Sequence, residues 1–182
     1  VAGLELMTTQ RFQIAVGYSP LEAGLLIIAV TLAAFPSSLL AGAFLHRLGF
    51  IPLICGGFAV MAAGIGAGLG FGAADILPGF VVGLALVGAG AGAAMSAAST
   101  AIVGSAPVHR AGMASGVEAV SYEFGTLLSI AITGSLVPLL MTHKLPDALA
   151  PQGTDALSSP ATHDAAAAAY DSAYFLTVGG LA

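Results

Sequence analysis

Two glutamates, Glu118 and Glu123, lie within the apolar stretch 111–141, AGMASGVEAVSYEFGTLLSIAITGSLVPLLM. A charged side chain at the bilayer centre costs about 2.5–3.5 kcal/mol even on a lenient insertion scale. Such residues therefore face a protein interior or a wet cavity and serve ion or substrate traffic. Leaving water favours the neutral form of a carboxyl group. That suits a proton carrier, protonated on one side and unloaded or displaced by a cation on the other. An ionised glutamate beside aromatic rings also attracts lipophilic cations, and Tyr122 and Phe124 are close by in sequence. The competing account is purely structural: a glutamate bonded to a neighbouring helix's hydroxyl or backbone.

Helical geometry separates the two acids. Residues five apart differ by about 140° in direction and about 7.5 Å in height, so Glu118 and Glu123 cannot form one tight dyad on a straight helix. Glu123, roughly 16 Å into its span, continues a stripe of small residues, Gly112, Gly116 and Ala119, suited to a close neighbouring helix. Glu118, roughly 9 Å in, shares a semi-polar line with Tyr122, Gly125 and Ser129 that suits a water-filled cavity. The expectation is Glu123 as the proton site and Glu118 as the cavity acid. Glu5 is a third acid in an apolar stretch, and Glu22 has a local explanation given below.

Composition says what must position these groups. The chain has 182 residues, 58% hydrophobic and 7% charged, with a mean hydropathy of +0.99. Soluble domains carry about 25% charged residues, so four Lys and Arg cannot cover a water-facing surface. The chain reads as an all-α membrane protein, because open strands leave unpaired edges in lipid. Four complete spans stand out, at 20–45, 52–70, 78–103 and 112–141, each long enough for a hydrocarbon core of about 30 Å. Partial spans flank them at 1–12 and 165–182. The apolar character already present at Val1, and the short apolar run after Tyr170, lead us to expect helices continued beyond both ends of a longer chain.

Helix boundaries carry their own signals. Ser19, Pro20 and Glu22 form a capping box with proline at the first helical position. Pro52 and Pro78 open spans, whereas Pro36 falls mid-span and should disturb its helix. Loops of one set, 10–19, 70–77 and 142–164, hold Arg11, Asp75, Lys144, Asp147, Asp155 and Asp164. The other set, 45–50 and 105–110, holds His46, Arg47, His109 and Arg110 without acids. Lys and Arg divide evenly, but their density in two short loops leans toward that side being cytoplasmic. The loop 142–164 is expected to be solvated and external, and Asp171 interfacial.

Several chemistries find no support. No basic face exists for nucleic acid. Cys55 stands alone, and the four histidines lack metal-ligand spacing. No nucleophile triad is apparent, so neither an enzyme nor a bound cofactor or metal is expected. The run GIGAGLGFG follows no strand and is not a dinucleotide loop. Glycine pairs spaced by four, such as Gly64/Gly68, Gly66/Gly70, Gly79/Gly83, Gly88/Gly92 and Gly112/Gly116, suit close helix packing.

The stretch 10–49, QRFQIAVGYSPLEAGLLIIAVTLAAFPSSLLAGAFLHRLG, resembles the 14-helix drug:proton antiporters of the major facilitator superfamily. The stretch 105–136 resembles their penultimate helix. The pattern Glu118, Tyr122, Glu123, Phe124, Gly125 is similar to the quaternary-ammonium and biocide exporters of that group. This resemblance implies a partial C-terminal helical half of such a transporter, whose missing N-terminal half completes it. It implies export of small lipophilic or cationic substrates in exchange for protons, by alternating access, at a bacterial plasma membrane. It also implies proton-coupling roles for Glu123 and Glu118, a substrate cavity at Glu118, Tyr122, Phe124 and Ser129, and a cytoplasmic gating loop at Arg47 and Gly49. Members with a further acid midway along the helix at 20–45 differ from this chain, which has none. A metabolite or amphiphile exporter on the same fold, and a non-transporting remnant of a broken gene, are the alternatives.

Overall fold

The computed structural model describes residues 1–74, 76–146 and 148–181. Asp75 and Asp147, both assigned to loops from sequence, and Ala182, at the end of the last partial span, lie outside the described residues. Six α-helices follow one another: α1 (Ala2–Ile14), α2 (Pro20–Leu48), α3 (Phe50–Ala73), α4 (Leu77–Ser105), α5 (Ala111–Lys144) and α6 (His163–Leu181). No strand occurs among the described residues. Helices α2 to α5 are long and apolar enough to cross a membrane. The helices overrun the spans expected from hydropathy at most ends, because a helix keeps its backbone hydrogen bonds through the interface where apolar side chains stop.

The starts and stops follow local chemistry. At the entry to α2 the Ser19 amide and hydroxyl both donate to Glu22 Oε2 at 2.8 Å, and the Glu22 amide donates to Ser19 Oγ at 3.3 Å. The capping box is therefore formed. Gly49 alone separates α2 from α3, with φ +80°, a left-handed conformation that glycine adopts without strain. Its amide donates to Leu45 O at 2.9 Å and closes α2. Helix α3 begins at Phe50, so Pro52 lies inside its first turn. Pro78 lies in the first turn of α4. Pro36 lies inside an unbroken α2, where the Ser37 and Ser38 hydroxyls donate to Ala34 O and Phe35 O at 2.9 and 2.8 Å.

The chain divides into two compact units, Val1 with Ile28–Thr126, and Ala2–Ile27 with Leu127–Ala182. In the first unit glycines let backbones touch. A methyl group on Gly64 would come within 2.7 Å of the Val87 amide, and one on Gly83 within 2.6 Å of the Gly68 amide. As residue numbers rise along α3 they fall along α4, so this pair is antiparallel. Gly88 and Gly92, two faces away, abut the carbonyls of Val30 and Ala34, and this pairing advances in step, so α2 and α4 run parallel. Helix α4 is thus the inner helix, held by close van der Waals contact where lipid supplies no hydrophobic drive. Leu32, Ile51 and Val120 stay exposed, as lipid-facing side chains must.

In the second unit α1 packs on α6. Met7, Phe12, Val137, Met141, Tyr170 and Tyr174 are buried in it. Most described residues of the connection 142–164 are exposed, but two apolar ones are covered. Leu145 is buried, and a three-ten turn at Ala150–Leu157 packs on α6 with Ala156 fully buried. The Thr162 hydroxyl donates to Ala156 O at 2.7 Å, while its carbonyl accepts the Ala166 amide as α6 begins.

Candidate functional site

A cleft of about 490 Å³ opens in the first unit between α2, α4 and α5. Thr31, Ala34, Phe35 and Ser38 line it from α2. Gly92, Met95, Ser96 and Ser99 line it from α4, and Glu118 and Tyr122 from α5. Each set recurs at helical spacing, so one face of each helix is presented. Gly92 sets the closeness of the walls, since a methyl group there would meet the Ala34 carbonyl and come within 2.6 Å of Ser37 Oγ. The α2 segment supplying Thr31 to Ser38 contains Pro36, whose missing amide leaves a backbone carbonyl one turn earlier without its helical donor.

Among the described residues Glu118 is the only charged one lining the cleft, and no described Lys, Arg or His lines it. It is half-buried, and Tyr122 is 36% exposed. A carboxylate beside the aromatic faces of Phe35 and Tyr122 and the polarisable thioether of Met95 is a setting for an organic cation.

The remaining residues singled out from sequence lie elsewhere. Glu123 is exposed and does not line the cleft. Phe124 is 67% exposed. Ser129 belongs to the second unit, where a methyl group on Gly3 of α1 would come within 2.6 Å of its hydroxyl oxygen. The small-residue stripe of α5 is not a packing seam within this structure, because Gly112 and Gly116 face open space. Arg47 is exposed in the last turn of α2, beside Gly49. The parallel course of α2 and α4 places it at the same end of the first unit as Arg110.

Sequence reasoning missed a polar cluster in the second unit. Arg11, assigned from sequence to a loop, is in α1 and only 5% exposed. It forms a salt bridge with Asp171 of α6, which is therefore not a free interfacial acid. The guanidinium also lies 5.3, 5.2 and 4.7 Å from the ring centroids of Phe12, Tyr174 and Phe175. Thr8 Oγ1 and the Tyr174 hydroxyl are 3.1 Å apart, and the Tyr170 hydroxyl donates to Gln10 Oε1 at 2.9 Å. The signal available was the spacing on α6, where Tyr170, Asp171, Tyr174 and Phe175 form a face able to receive a cation.

Residues 6–142 match the Major Facilitator Superfamily. The methyl viologen resistance protein SmvA of Salmonella typhimurium is 36% identical over 155 residues, covering 75% of this chain and 28% of that protein. The multidrug resistance protein Stp of Mycobacterium tuberculosis is 30% identical over 137 residues, covering 75% of this chain and 25% of that protein. The chain thus spans about a quarter of the length of these curated relatives. No solved structure matches it. An all-α course of membrane-length helices, a family match over most of the chain and two drug-resistance relatives agree: the chain belongs to the major facilitator superfamily.

Proposed function

We propose that this chain is the C-terminal portion of a proton-coupled exporter of lipophilic cations, working by alternating access in a bacterial plasma membrane. The observation that carries this reading is the cleft in which Glu118 and Tyr122 of α5 meet Phe35 of α2 and Met95 of α4. Glu118 holds either a proton or the substrate cation, so arrival of one expels the other. Tyr122 offers the ring face that a desolvated organic cation prefers to water. Glu123, deeper along α5, acts as a second proton-coupling acid, and Phe124 adds an aromatic face to the substrate path of the intact transporter. Arg47 and Gly49 form the cytoplasmic gating turn, with Gly49 taking up the backbone change. The names of the two relatives support drug export, and SmvA's supports a cationic substrate.

The test is efflux of ethidium driven by an imposed proton gradient, in the full-length transporter with Glu118→Gln or Glu123→Gln. The reading expects Glu118→Gln to abolish both dye binding and efflux. It expects Glu123→Gln to spare binding and uncouple efflux from the gradient. Efflux unaffected by either change would remove the coupling role.

A further inference from the structure

Hydroxyls on membrane helices ordinarily bond back to a carbonyl one turn earlier, which hides their polarity from lipid. In the first unit Ser37, Ser38, Thr100, Ser105 and Ser121 do so, at 2.8 to 2.9 Å. Ser96 and Ser99 do not. Among the described residues neither hydroxyl has a hydrogen-bond partner, and both are half-buried in the lining of the Glu118 cleft. Thr31, on the facing wall, is likewise without one. A hydroxyl that forgoes its own helix and points into a cleft is satisfied there by water.

The depths agree. Ser99 lies about 9 Å from the end of α4 at Ser105, and Glu118 about 10 Å from the start of α5 at Ala111. Both therefore stand at one level below the short α4–α5 turn at Ala106–Arg110, the end of the unit that carries Arg47 and Arg110. Ser96 is one turn deeper on the same face of α4.

We propose that Ser96 and Ser99 form a water-bridged proton path that leads from Glu118 deeper along the α4 wall of the cleft, away from the α4–α5 turn, and distinct from the surface that binds the cation. This rests on the reading of Glu118 as a proton-exchanging acid. A hydroxyl both donates and accepts. The protonated Glu118 carboxyl passes its proton to a bridging water or to Ser99 Oγ, while that oxygen releases its own proton to water beside Ser96. No heavy-atom bond forms or breaks, and no oxidant is needed. The residues are positioning groups for proton transfer, and their loss slows exchange without removing the acid.

The experiment uses the full-length transporter with Ser96→Ala/Ser99→Ala, beside Ser99→Thr on the Ser96→Ala background and Glu118→Gln. Tetraphenylphosphonium binding at fixed pH and proton-driven ethidium efflux in H₂O and D₂O are measured for each. The proposal expects the double alanine variant to bind normally and pump about fivefold more slowly, the scale of one lost hydrogen bond, with a larger solvent isotope effect. Restoring a hydroxyl as Ser99→Thr recovers most of the rate. Normal pumping by the double alanine variant overturns the path, as does loss of binding in step with efflux, which would make the serines substrate contacts. If Glu118→Gln itself pumps normally, the reading of Glu118 fails, a separate outcome from failure of the path.

Discussion

The Arg11 guanidinium pairs with the Asp171 carboxylate across the α1–α6 interface, roofed by the rings of Phe12, Tyr174 and Phe175. The pair joins residues 160 positions apart, so it ties the second unit together where few other polar contacts do. A cation this deeply buried must keep its partner, because the desolvation penalty outlasts the loss of the attraction.

Arg11→Ala should therefore lower the stability of the detergent-solubilised full-length protein by about 3 kcal/mol, read from its thermal midpoint. Asp171→Asn should cost at least as much, because it leaves the buried guanidinium without its carboxylate and with only the ring faces. Arg11→Lys should not restore the wild-type midpoint, since an ammonium lacks the planar stacking surface. Equal midpoints for Arg11→Ala and wild type would show that the pair contributes nothing.

The glycines should divide sharply by position. Gly88→Ala drives a methyl group into the Val30 carbonyl, and Gly90→Ala drives one into Gly57 and Met61. Each should destabilise the first unit by about 1–3 kcal/mol through overpacking. Gly66→Ala and Gly112→Ala meet nothing within 4 Å and should be neutral or slightly stabilising by helix propensity. Melting curves of the four variants check the division.

Tyr122 should matter through its ring. Tyr122→Phe should retain tetraphenylphosphonium affinity within about twofold, whereas Tyr122→Ala should weaken it about 5- to 30-fold, the range of a partly desolvated cation–π contact. Equal affinities for the alanine variant and wild type would place the cation away from α5.

Much of this architecture was legible because its signals are local. Length and hydropathy located α2 to α5, and the Ser19–Glu22 box is formed as its spacing required. The pairing of Glu118 with Tyr122 on one face followed from their spacing of four. What could not be read were contacts between distant helices. A glycine pair at spacing four marks a face on which close approach is possible, but not whether a helix lies there. Gly88 and Gly92 met α2, while Gly112 and Gly116 met open space. Arg11 was assigned to a loop because a charge next to a helix end looks solvated until its partner, far along the chain, is known. The loop 142–164 looked polar, yet Leu145 and Ala156 within it are buried, and the turn that carries Ala156 packs on α6. Likewise, composition showed serines on α4 but not which of them leave their own helix and face the cleft.

The central claim is that Glu118 exchanges a proton for a cation. The most direct measurement is proton release when tetraphenylphosphonium is added to the purified full-length transporter in weakly buffered solution. The account predicts that the wild-type protein acidifies the medium on binding and that Glu118→Gln releases no protons. Release from Glu118→Gln equal to that of the wild type would contradict it.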